Sequence, residues 1–168
     1  MKPFIPQIAK IEDRKVVTVT SHGDPNEVME PYIKALYGAA YHAKIKVYRP
    51  KGVKMELGKL LAFWPDAHLK PKSEWIGIWG VPVPDYVTEK DISQKDPNIL
   101  VKVETWKGGE CAEVLYIGTY AEEGPTIQKL HDFIKDSGYE IMGQHEEQYL
   151  TKPGPKAETI IRYLVRKK

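Results

Sequence analysis

Pro125-Thr126-Ile127-Gln128-Lys129-Leu130-His131-Asp132-Phe133-Ile134 carries apolar side chains at Ile127, Leu130, Phe133 and Ile134. That spacing is one buried face of an α-helix. Pro125 suits a first helical turn, where no N–H is needed, and Gly138 is the expected stop. The pattern occurs twice. Pro31, Ile33, Leu36 and Ala40 fall on Pro125, Ile127, Leu130 and Ile134 at a constant offset of 94 residues. Tyr37 lies on the first stripe.

Strands flank both helices. Val16-Val17-Thr18-Val19-Thr20 is β-branched throughout, and Ser21-His22-Gly23-Asp24-Pro25 breaks it as a turn. Asp24 and Glu27 offer a capping box, but Pro31 is hostile to a helix interior, so the main helix is expected from Pro31. Ile45–Tyr48 reads as a short strand or extended arm, and Lys59–Trp64 and Trp75–Trp79 as strands. Residues 85–98 are polar, with one short helix at Glu89–Ser93. Beyond them, Ile99–Trp106 and Cys111–Ile117 read as a hairpin through Lys107–Glu110. Glu146–Thr151 and Thr159–Arg166 close the chain as strands, the first pair after the second helix.

The expected fold is α+β: a duplicated β-α-β-β module with an antiparallel sheet and helices on one side. The half-modules span about 12–84 and 99–168 of a single domain, joined by the linker 85–98. A pseudo-twofold junction between such halves is the expected place for a ligand groove.

Composition narrows the function. The 168 residues carry 25 basic and 23 acidic side chains, interspersed, which leaves no basic stripe for nucleic acid. No apolar run approaches the length of a membrane span, and none resembles a signal peptide. The single Cys111 excludes an internal disulfide and fits the cytoplasm. Ten Tyr and four Trp against three Phe favour rings with a polar tip, suited to a surface that meets a ligand.

A strand has a side-chain period of two, so His145, Glu147 and Tyr149 share one face. Glu146 and Gln148 are expected to point to water. A carboxylate between an imidazole and a phenol can hold a cation or move a proton. Trp75 and Trp79 share the face of another strand, Trp64 ends a third, and Tyr116 and Tyr120 flank the end of Cys111–Ile117. The five His are scattered without metal-ligand spacing, so no metal and no cofactor is expected. There is no GxGxxG, no P-loop and no GxSxG.

Tyr116-Ile117-Gly118-Thr119-Tyr120, the helix just quoted, Gly138-Tyr139 and His145-Glu146-Glu147-Gln148-Tyr149-Leu150 together resemble the GyrI-like small-molecule-binding family. The family's run is a strand ending HIGPY, a helix TIxKLHxFI, a GY and then HHEIYLSDP. Here Thr119 replaces the usual Pro, and His145-Glu146-Glu147 replaces His-His-Glu. The first half resembles a longer, stand-alone branch, some of whose members hydrolyse cyclopropane-bearing DNA-alkylating natural products.

The resemblance implies two β-α-β-β units and a ligand site with Glu147 as its central carboxylate. Trp64, Trp75, Trp79, Tyr120, His145 and Tyr37 are the expected ligand-binding residues. Three functions follow. The first is capture of small, flat, hydrophobic or cationic organic molecules, protecting against toxins or drugs. The second is a hydrolase with Glu147 as general base and Tyr149 or Tyr116 as donor to the oxygen gaining charge. The third is a protein-interaction module. The expected partner is a small molecule, not nucleic acid or membrane, and the chain is expected to be a monomer.

Overall fold

The computed structural model describes all 168 residues. They divide into two compact units, Met1–Asp13 with Lys107–Lys168, and Arg14–Trp106.

In Arg14–Trp106 the strands are β2 (Arg14–His22), β3 (Leu61–Phe63), β4 (Ile76–Pro82) and β5 (Lys102–Trp106). All pair antiparallel, in the order β3-β4-β2-β5. Helix α1 (Pro25–His42) packs on β2 and β4 through Leu36, Ala39 and Ala40. A second cluster joins Val16, Leu61 and Trp106, with Phe63 and Ile78 against it.

In the other unit the order is β1 (Gln7–Ile11), β6 (Gly109–Ile117), β9 (Glu158–Lys167) and β8 (Glu146–Tyr149), again antiparallel. The short β7 (Tyr139–Ile141) pairs with the far end of β9. Helix α2 (Gly124–Asp136) lays Thr126, Leu130 and Ile134 on this sheet. They meet Ala112, Val114, Tyr116, Ile161, Tyr163 and Val165 in one core. Each fully buried Leu or Ile there contributes roughly 1.5–3 kcal/mol.

The fold is α+β, as expected. In each unit a strand, a helix and two strands follow in sequence, and the last strand lies between the other two: β4 between β3 and β2, β9 between β8 and β6. The buried helix positions Leu36 and Ala40 correspond to Leu130 and Ile134, the offset read from the sequence.

Four expectations are corrected. Helix α1 starts at Pro25, not Pro31, because the Asp24 carboxylate accepts from the Asn26 N–H and starts the helix there. Pro31 is tolerated inside because it and Glu27, whose carbonyl loses its partner, are both exposed to water. Ile45–Tyr48 is helical, a π-turn over Ala43–Tyr48 that extends α1 and ends near Gly52. Its β-branched residues misled, while the small stripe Ala39, Ala40, Ala43 keeps the helix on its sheet. Ile99–Trp106 and Cys111–Ile117 do not form a hairpin: β5 pairs with β2, and β6 pairs with β1 and β9. Gly108 instead passes against Ile11, where a Cβ would lie 2.1 Å from the carbonyl oxygen. The fourth concerns Glu146 and Gln148, described with the site. Strands β1 and β7 were not legible as strands.

Candidate functional site

Register places the central carboxylate. In the β8–β9 pair Glu147 lies opposite Ile161, so it shares the sheet face of Ile161 and Tyr163, the face that carries α2. His145 immediately precedes the strand. Its Nε2 is 2.6 Å from Glu147 Oε2, and its Nδ1 is 2.7 Å from the Tyr163 hydroxyl. With neutral imidazole, Nε2–H donates to the carboxylate and Nδ1 accepts the Tyr163 O–H. Tyr163 stands edge-on between His131 and His145, at 5.0 and 5.3 Å between ring centroids. That wedge fixes the imidazole plane.

Glu123, at the start of α2, reaches the same point. It is 6% exposed and Glu147 is 7% exposed. Glu123, His145 and Glu147 each bring a ligand atom within 4.8 Å of the others. The two carboxyls hydrogen-bond each other, and Tyr149 bonds to Glu147 as well. Tyr120 stands edge-on to Tyr149 at 5.6 Å.

Two carboxylates this close and this dry cannot both be charged. Burial, then the Glu147 charge, drives the Glu123 carboxyl far above the usual carboxylate range, so it keeps its proton. Burial also works to raise Glu147, but bonds from His145, Glu123 and Tyr149 outweigh it and hold Glu147 below its ordinary value. The site is therefore one carboxylic acid and one carboxylate side by side. Burial and the same two carboxylates push the Tyr120 and Tyr163 phenols up, keeping them protonated donors. One imidazole and two carboxylates are also a donor set that suits a divalent ion. Sequence spacing could not reveal it, since Glu123 lies on a different element from the other two.

The opposite face corrects the expectation that Glu146 and Gln148 meet water. Glu146 is 3% exposed. Gln7, Glu113, Arg162 and Glu146 stand in register across β1, β6, β9 and β8. Arg162 Nη1 donates to Glu146 Oε2 at 2.7 Å and Nε to Glu113 Oε1 at 2.9 Å. Its Nη2 reaches Gln148 Oε1 at 3.3 Å, and Gln7 Nε2 donates to Glu113 Oε2 at 3.0 Å. A guanidinium on the middle strand draws the carboxylates inward, because a buried charge needs partners.

The remaining expected residues lie elsewhere. Tyr116 is in the core, edge-on to Phe4, with its hydroxyl donating to the Thr119 carbonyl. Trp64, Trp75 and Trp79 do come together, in Arg14–Trp106. Trp64 lies 5.8 Å from Trp75 and 5.0 Å from Trp79. Trp79 Nε1 donates to Ser21 Oγ at 2.9 Å, and Trp75 Nε1 to the Lys70 carbonyl at 3.0 Å. Gly77 makes room: a Cβ there would lie 2.7 Å from both Ser21 Oγ and Trp79 Nε1, and 3.1 Å from Trp64. Tyr37 is half-buried on α1 beside Tyr41, at 6.2 Å. Sequence reasoning missed Glu123 and Tyr163. No local signal marks either, because both reach Glu147 only through tertiary packing.

The model of the GyrI-like family, described as a small molecule binding domain, matches residues 5–168. The chain belongs to the GyrI-like family. No curated protein matches it. Among solved structures, an uncharacterized conserved protein from Listeria innocua is 25% identical with a TM-score of 0.84, covering 98% of this chain and 93% of that one. A hydrolase from Listeria innocua is 24% identical with a TM-score of 0.83, covering 99% and 94%. The EcmrR C-terminal domain is 13% identical with a TM-score of 0.71, covering 98% of each chain. In this GyrI-like chain the family's usual second histidine is Glu146, and the Arg162 contact gives that departure a structural role. No helix of the chain is long and apolar enough to cross a membrane.

Proposed function

We propose that this GyrI-like domain captures flat, apolar or cationic organic molecules, with Glu147 as the polar anchor, in a protective role against toxic compounds. The observation that carries the reading is a buried carboxylate held ionised by His145 and bordered by the rings of Tyr149 and Tyr163. A cation leaving water gains most where a carboxylate and aromatic faces replace its hydration. The Trp64–Trp75–Trp79 cluster adds stacking surface of the same chemical kind. The test is a fluorescence titration of a flat aromatic dye cation, ethidium, against the protein and Glu147→Gln. Wild type is expected to bind, and the variant to bind at least tenfold more weakly. Equal affinities defeat Glu147 as anchor.

A second reading, hydrolysis of a strained cyclopropane conjugated to a dienone, is favoured by the acid–base pair itself. Glu147 would take a proton from water as general base, and Tyr149 would donate to the oxygen that gains charge. Turnover of a cyclopropane-bearing alkylator no faster than in buffer removes this reading.

A further inference from the structure

Glu123 has an arrangement that simple structural duty does not explain. It begins α2, yet its side chain makes no capping bond to the helix. Its Oε1 is buried without a hydrogen-bond partner. Its other interactions are with Glu147, and neither carboxyl has a lysine or arginine partner. A buried acid with one idle oxygen beside a buried carboxylate is costly for a fold that needed only packing. The idle oxygen makes sense if a ligand completes the set.

The surroundings specify the ligand's charge and shape. The groups facing the pair are His145 and Tyr149 from β8 and its approach, Tyr163 from β9, Tyr120 from the turn before α2, and Tyr116 from β6. His131 backs Tyr163. Apart from the imidazole, every one is a neutral phenol, so the pair is bordered by rings and O–H donors with no fixed positive charge. An anion would be repelled, and a neutral ligand would leave the carboxylate's charge uncompensated. A monocation with aromatic surface satisfies both the carboxyls and the rings.

We infer that Glu123 is the second polar residue of the ligand site, and that an aromatic monocation docks against Glu123 and Glu147 by displacing the proton the two carboxyls share. This rests on the binding reading above and deepens it, naming the residue that selects charge. The exchange balances: one proton leaves to solvent as one positive charge arrives, and no covalent bond changes. Binding therefore strengthens as pH rises, by up to about tenfold per unit while the free site still holds its proton. Without Glu123 the carboxylate stands alone, and a cation enters with no proton to displace.

Isothermal titration calorimetry with ethidium decides it, run at pH 7 with EDTA in two buffers of different ionisation enthalpy. The difference in heat counts protons. Wild type is expected to release about one proton per dye bound, and Glu123→Gln to bind the dye while releasing few or none. Should Glu123→Gln lose its far-UV circular dichroism, Glu123→Met takes its place. Dye bound by wild type without proton release overturns the exchange and leaves the binding function standing. Equal release by wild type and variant also overturns it, and assigns the proton to His145. No binding by wild type at all overturns the proposed function, and this inference with it.

Discussion

Arg162 lies directly opposite Glu146 across the β8–β9 ladder, and its Nη1 reaches the Glu146 carboxylate at 2.7 Å. The same guanidinium bonds Glu113 on the other side, so one cation serves two buried anions. Arg162→Ala strands both carboxylates and is expected to cost about 3–5 kcal/mol. Arg162→Ala with Glu113→Gln and Glu146→Gln removes the stranded charge and should recover part of that loss. Urea unfolding curves of the two proteins give the comparison, and equal midpoints would show that stranded charge is not the cause.

The carboxyl pair makes stability depend on pH in a stated direction. Burial and Glu147 raise the Glu123 carboxyl, so its contribution is complete below about pH 4.3, the unfolded value, and fades as pH rises toward the folded one. Glu147 is lowered, so its contribution is present above the unfolded value and fades as pH falls through the folded one. Between pH 5 and 9 the Glu123 effect governs: the folded pair holds a proton that the unfolded chain has lost. The slope is at most about 1.4 kcal/mol per pH unit. Glu123→Gln is neutral without that proton. Its unfolding free energy should fall less between pH 5 and pH 9 than that of wild type, and parallel profiles would sink the assignment.

Gly77 keeps the tryptophan cluster together by having no side chain. Gly77→Ala pushes a methyl against Ser21, Trp79 and Trp64, with backbone-strand atoms unable to retreat far. A loss of about 1–3 kcal/mol is expected. Near-ultraviolet circular dichroism should change with it, since three indoles report from that spot, while the far-ultraviolet spectrum stays.

Cys111 should be inert. It is fully buried, and burial first, then the Glu113 charge, push its thiol up to about 11. Ellman's reagent at pH 7.5 is expected to label it only after denaturant is added. Rapid labelling of the native protein would contradict its place in the sheet.

The helices were legible because each presents one apolar stripe, and the buried Leu36 and Leu130 are the residues that stripe named. The shared face of His145 and Glu147 followed from strand period alone, and the 2.6 Å contact realises it. Residues that misled had an ambiguous local pattern. Val47 and Ile45 suit a strand, and only their continuity with the Ala39–Ala43 stripe makes them helical. Glu146 looked like a water-facing residue because the arginine that buries it lies 16 positions away. Glu123 was invisible for the same reason at larger scale: it is a surface-type residue at a helix start until the sheet brings Glu147 to it.

The pairing of β1 with β6 has a bearing on how the protein is made. Gln7 leaves the ribosome first, yet the residue it bonds, Glu113, is 106 positions downstream. Throughout translation of everything between them, an extended amino-terminal segment has no neighbour to zip onto, while Arg14–Trp106 already holds all of its own strand partners. Newly made chains are thus expected to acquire protease resistance in two steps, the middle first and the two ends together.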